Sequence, residues 1–125
     1  MIDGLQISEC SLEKARSIGS HNTFPVRAKY FVATLHGVPV GRAGILPVCG
    51  GRWRLIRAWV DREHRRRGIC RELVRARIAL AVSSGAQSIE VSSRLRGFFE
   101  SIGFVVEREF KHTWVFMKMP VVREV

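Results

Sequence analysis

The chain has 125 residues, 46% hydrophobic and 26% charged, which suits one domain with a single core. No apolar run nears the about 20 residues of a membrane span, and MIDGLQISEC has neither the basic nor the apolar region of a secretory leader, which points to a cytoplasmic protein. Twenty-one Lys+Arg against 11 Asp+Glu leave a net charge of +10, which either serves solubility or reports a polyanionic partner. Cys10, Cys49 and Cys70 are odd in number and form no C-x-x-C, which argues against both a disulfide framework and a zinc site.

In chain order, LQIS (5–8) predicts a short strand. SLEKARSIG (11–19) predicts a helix with Ser11 as N-cap and Gly19 as stop, and SHNTFPVRA (20–28) a loop. KYFVATLH and VPVGRAGILPV read as strands joined by a hairpin turn at His36-Gly37, and CGGR (49–52) as a second turn into the strand WRLIRAWV (53–60). From Cys70 to Ser84, Ile69, Leu73, Ala76 and Leu80 line up as the apolar stripe of a helix that Gly85 ends. QSIEVSS (87–93) is a strand, RLRGFFESIG (94–103) a short helix, and FVVEREF with TWVFMKM a final strand pair. The order β-α-βββ-α-β-α-ββ implies an α/β (α+β) domain over residues 1–125, a mixed sheet of six to seven strands with helices on both faces. The crossover through helix 70–84 makes strands 53–60 and 87–93 parallel. An apolar last strand lying at a sheet edge would suit pairing with a second copy, as a homodimer.

The loop DREHRRRGIC joins strand 53–60 to this long helix. A helix N-terminus presents unpaired N–H groups and partial positive charge, a glycine lets a phosphate approach the backbone, and arginines add charge-assisted bonds. The local residues fit either such a phosphate cradle or a solvated basic turn.

The register Arg65-x-x-Gly68-x-Cys70 after a strand resembles the acetyl-CoA-binding motif of the GNAT acetyltransferase superfamily. RGFFESIGF (96–104) resembles that superfamily's second signature, a helix ending in aromatic-x-x-x-Gly-Phe. The resemblance covers nearly the whole chain. It implies a GNAT-like fold whose strands 53–60 and 87–93 splay apart, and transfer of an acetyl group from acetyl-CoA to an amine. The CoA pyrophosphate would meet the amides around Arg66 to Arg71, with the side chains of Arg65, Arg66, Arg67 or Arg71 in reach of phosphate and Gly68 and Ile69 within the loop. The pantetheine arm would pair with backbone near Ala58, Trp59 and Val60, and the direct attack of the amine would need a base and an acid.

Four residues depart from the family pattern, and the first, Arg66, stands where a small residue is commoner. Cys70 replaces a small residue and is either a filler beneath the pyrophosphate or a thiol activated by the helix N-terminus. Phe99 stands where a tyrosine commonly protonates the leaving thiolate, and a phenyl ring has no proton to give. Ser92 replaces a frequent asparagine that orients the cofactor. Candidate bases are Glu90, on strand 87–93, and His21, in the loop on the acceptor side. Asp61 and Glu63 balance local arginines, and His36, His64 and His112 fall in turns. Tyr30 reads as a packed strand residue.

With one helix and a loop between the first two strands, the acceptor site is open. That suits an amine on a macromolecule, a nucleic acid base or a protein side chain. Arg27, Lys29, Arg42, Arg52, Arg54 and Arg57 lie outside the cradle and favour nucleic acid, with Trp53, Trp59 and Trp114 either stacking platforms or core. A small-amine acetyltransferase and a non-catalytic nucleic-acid-binding module with this fold stand as alternatives.

Overall fold

β-Branched and aromatic runs punctuated by glycine turns build seven strands. A computed structural model describes residues 2–21 and 23–122. The order is β1 (Leu5–Cys10), α1 (Leu12–Arg16), β2 (Lys29–Leu35), β3 (Val38–Val48), β4 (Arg52–Val60), α2 (Ile69–Ser83), β5 (Ser88–Ser93), α3 (Arg96–Ile102), β6 (Val105–Glu109) and β7 (Val115–Pro120). Short 3₁₀ turns occupy Arg62–His64 and Lys111–Thr113. Ser11 caps α1 as expected, its Oγ accepting from Lys14 N–H at 3.1 Å. His36 and Gly37 both take positive φ, 51° and 83°, the left-handed pair that a two-residue hairpin turn requires.

The sheet order is β1-β2-β3-β4-β5-β7-β6, with β4 and β5 parallel and every other neighbouring pair antiparallel. One expectation is overturned here. The last strand is no edge: β7 pairs β5 on one side and β6 on the other, so its apolar residues serve the core. Val115 and Met117 belong to that core, and the sheet edges are β1 and β6.

Alternation along the strands sends residues to two faces. One face carries Phe31, Ala33, Leu55, Ile89, Val91 and Met117 and is covered by α2 through Ile69, Leu73, Val74 and Ala81, and by α3 through Phe99. The other face has a smaller cluster, Ala15 of α1 with Phe24, Ala28 and Tyr30. Helices therefore lie on both faces, but the second is covered only at its β2 side. Among the described residues no helix is long and apolar enough to cross a membrane.

Two features position the site. First, β4 and β5 share only three rungs, Arg52↔Ser88, Trp53↔Ile89 and Arg54↔Glu90. Beyond them the strands run on to Val60 and Ser93 with no further pairing between them, leaving a V-shaped opening. Second, β3 and β4 slip register between Arg42 and Gly44, where Arg57 on β4 has φ 56°. This bulge bends β4 at the opening.

Candidate active site

A cleft of about 710 Å³ lies where β4 ends and α2 begins, walled by Ala58, Trp59, Val60, His64, Arg65, Arg66, Gly68, Ile69, Cys70, Arg71, Leu95 and Phe98. Nine of the residues expected from sequence to hold cofactor meet there. Gly68 has φ 89° and ends the loop as the N-cap of α2. The first bond of that helix runs from Glu72 N–H to Gly68 C=O at 3.1 Å, so the N–H groups of Ile69, Cys70 and Arg71 have no intrahelical acceptor. An added Cβ at Gly68 would meet nothing within 4 Å, so the loop is open at the residue that caps the helix. Three free donors at the positive end of a 15-residue helix make an anion site.

The arginines divide by task. Arg65 Nε donates to Val60 C=O at 2.9 Å and ties the loop to the end of β4. Arg71 Nη2 donates to Ser101 Oγ at 2.9 Å, and its guanidinium lies 5.9 Å from the Phe98 ring centre, bridging α2 to α3. Arg66 and Arg67 are exposed, and neither takes part in the ion pairs found among the described residues. Arg67 and Ser92 stand outside the cleft lining, Ser92 exposed on β5 opposite Phe116.

Phe99 is a correction. It is buried in the core, its ring centre 5.3 Å from that of Phe104, whereas Phe98 lines the cleft. Consecutive helical residues point about 100° apart, so one of this pair must face inward. Cys70 does line the cleft, and burial pushes its thiol above the ordinary value, against a smaller opposing pull from the Arg77 charge. It is a thiol at neutral pH, which fits a filler and not an activated nucleophile. Sequence reading did not connect His64 with Asp61. They lie 2.8 Å apart, Nδ1 to Oδ2, and the carboxylate accepts, which orients the ring of His64 at the cleft wall and leaves Nε2 for another partner. The i, i+3 spacing across a turn was the available signal.

Glu90 sits at the last shared rung of the opening, fully buried, on the face opposite the main core. Arg52 Nη1 donates to Oε1 at 3.2 Å, and Arg54 reaches Oε2 with Nε at 2.7 Å and Nη2 at 2.6 Å. Both oxygens are thus engaged by cations. His21 is exposed in the loop before β2, and its Nδ1 accepts Thr23 N–H at 3.2 Å, which leaves Nε2 as a donor. His21 thus presents no free lone pair, and Glu90 keeps one acceptor site, on Oε1, beside two cations. Tyr30 is buried and donates to Pro25 C=O at 2.6 Å, so it is the packed residue expected.

Arg42, expected on the surface, is 1% exposed. Its Nε donates to Ile18 C=O at 3.1 Å, Nη2 to Ser20 C=O at 3.3 Å, and Nη1 to Arg57 C=O at the bulge. Arg57 Nε in turn donates to Thr23 C=O at 2.7 Å. Trp59 packs against Gly19, where any Cβ would strike its ring. Loop 18–24 is thereby fastened to the bulge, facing the opening. Of the other tryptophans, Trp53 packs on the core and Trp114 is 44% exposed.

The model of the acetyltransferase (GNAT) family matches residues 7–104, which is most of the chain. The chain belongs to the GNAT acetyltransferase family. Solved structures share the fold of this GNAT protein at low identity. IAA acetyltransferase from Bacillus cereus ATCC 14579 has a TM-score of 0.80 at 14% identity, covering 94% of this chain and 99% of that one. A GNAT family acetyltransferase from Elizabethkingia anophelis with acetyl-CoA bound has 0.75 at 10%, covering 96% and 100%. Ard1 from Thermoplasma volcanium has 0.75 at 19%, covering 96% and 99%. No curated protein matches the GNAT chain significantly.

Proposed function

We propose that this GNAT acetyltransferase moves an acetyl group from acetyl-CoA to an amine carried on a macromolecule, a protein side chain or a nucleic acid base, in the cytoplasm. The observation that carries the cofactor assignment is the coincidence of three free helix amides, a left-handed Gly68 and a strand opening in one cleft. The pyrophosphate takes the amides of Ile69 to Arg71, with Arg66 and Arg67 adding charge from above. The pantetheine arm lies along Ala58–Val60, whose hydrogen-bonding edge toward β5 is unpaired, and a backbone N–H at the bulge polarises the thioester carbonyl.

The acceptor comes from the other side of the opening, past loop 18–24. The uncovered stretch of sheet there gives a large substrate room, which supports a macromolecular amine over a small one. With Glu90 held by two arginines and His21 Nδ1 occupied, the ammonium proton leaves through solvent at this open mouth. Phe98, the aromatic that lines the cleft, has no proton to give the thiolate, so CoA leaves as thiolate, a good leaving group.

Isothermal titration with acetyl-CoA tests the cofactor half: absence of binding at millimolar ligand overturns it. Labelled acetyl-CoA offered with DNA, RNA, basic protein tails and polyamines tests the acceptor. Label appearing in polyamines alone would replace the macromolecule with a small amine.

A further inference from the structure

Two sets of arginines line the second face of the sheet, and only one is neutralised. At the base of the opening, Arg52 and Arg54 share the buried carboxylate of Glu90. At the mouth, Arg42 and Arg57 have backbone oxygens and the Thr23 hydroxyl as partners. None of the ion pairs found among the described residues includes Arg16, Arg42 or Arg57. Arg42 bonds the Arg57 carbonyl and lies over the Phe24 ring, and Arg16 follows Ala15, which packs in one cluster with Phe24 and Tyr30. Burial raises the Tyr30 hydroxyl, and the charges of Arg57, Arg16 and Arg42 all act on it in the opposite sense. Arg42 itself is pushed down, by burial first and by the Arg57 charge second.

Like charges gathered beside a buried guanidinium are unfavourable without a counter-ion. The burial also fixes where one would go. Arg42 is sealed beneath loop 18–24, while Arg57 is half-buried and Arg16 exposed, so the cluster opens outward toward the mouth. Arg57 directly precedes Ala58 and Trp59 of the cleft wall and lies beyond the last rung shared with β5, so the cluster borders the opening.

We propose that the acceptor carries an anionic group, carboxylate or phosphate, near its amine, and that Arg57, with Arg16, binds it. Arg42 is a positioning residue, holding Arg57 and the loop in place. The inference rests on the transferase reading above and narrows its acceptor to amines with adjacent negative charge.

Matched acceptors test it. A peptide with lysine beside glutamate is compared with its glutamine counterpart, and an amine-bearing phosphodiester oligonucleotide with its methylphosphonate counterpart. O-phosphoethanolamine is compared with ethanolamine. The anionic member is expected to show at least about tenfold higher kcat/KM in one or more pairs, and which pair responds separates carboxylate from phosphate. Arg57→Gln should collapse that preference through KM, Arg57→Lys should restore part of it, and Arg16→Gln, at an exposed site, should weaken it without a risk to folding. Equal rates in every pair, no transfer to any anionic member, or a preference that survives both neutral variants overturns the inference while acetyl-CoA still binds. Absence of acetyl-CoA binding overturns the transferase reading itself.

Discussion

Gly68→Ala isolates the cradle. The residue has φ 89°, where an L side chain costs about 1–2 kcal/mol, so the variant should lose about that much stability. For a domain of this size that is a fall in Tm of about 4–8 °C. The added methyl meets no protein atom within 4 Å, so no clash compounds the backbone strain. In the proposed cradle it stands in the way of a pyrophosphate approaching the amides of Ile69 to Arg71. Hydrogen bonds to a charged group contribute about 1.5–3 kcal/mol each, so moving the phosphate off two amides costs about 3 kcal/mol or more. That is at least about a hundredfold in Kd. Titration calorimetry with CoA, beside a thermal melt, reads both quantities from one preparation. Valine at the same position adds β-branched strain and confuses binding with folding, so alanine is the cleaner change. A melt lowered as expected with CoA affinity unchanged within threefold would refute the cradle, because the strain would be there and the obstruction would not.

Glu90→Ala leaves Arg52 and Arg54 facing each other across a buried void. Their side chains are 35% and 43% exposed, so hydration offsets part of the loss, and about 2 kcal/mol is expected in a urea melt. No change would show that the ion pairs contribute nothing. Arg77, fully buried on α2, has its guanidinium pushed down to about 10 by desolvation, and it donates to Gly44 C=O at 3.1 Å. Arg77→Met removes the buried charge but leaves that carbonyl unpaired, two effects of about 1–3 kcal/mol with opposite sign, so stability should stay within about 1 kcal/mol of the parent. A loss above 3 kcal/mol would make the guanidinium a net stabiliser. Because the Cys70 thiol is raised, its thiolate fraction near pH 8 is below that of free cysteine, and alkylation should keep climbing above pH 9. Peptide mapping should also show Cys70 shielded by CoA while exposed Cys49 reacts unchanged.

Much of the fold was legible because its signals are local. Period-two runs, the His36-Gly37 turn and the apolar stripe of Ile69, Leu73 and Leu80 each need only neighbours in sequence. The insertion of β7 between β5 and β6 was not legible, because strand order depends on contacts that no short window contains. The loop from Arg65 to Gly68 could be placed by the strand before it and the helix after it. Phe98 and Phe99 could not be told apart: adjacent aromatics in a seven-residue helix carry too little periodicity to say which faces inward.

Arg42 failed for a more instructive reason. Simple alternation on β3 puts a charged side chain on a face with little helix over it, so sequence alone reads it as surface. The register slip between Arg42 and Gly44 changes its surroundings, because a bulge disturbs the ladder and exposes backbone oxygens inside the protein. Two buried arginines answer that disturbance, Arg42 bonding the carbonyl of Arg57 on one face and Arg77 that of Gly44 on the other. Only guanidinium combines a long apolar stem with several donors in one rigid fork, so lysine would leave part of the arrangement unbonded. The bulge that bends β4 at the opening therefore needs both arginines. In placing Arg42 beneath Arg57, it also gathers the positive charge at the mouth that an anionic acceptor would neutralise.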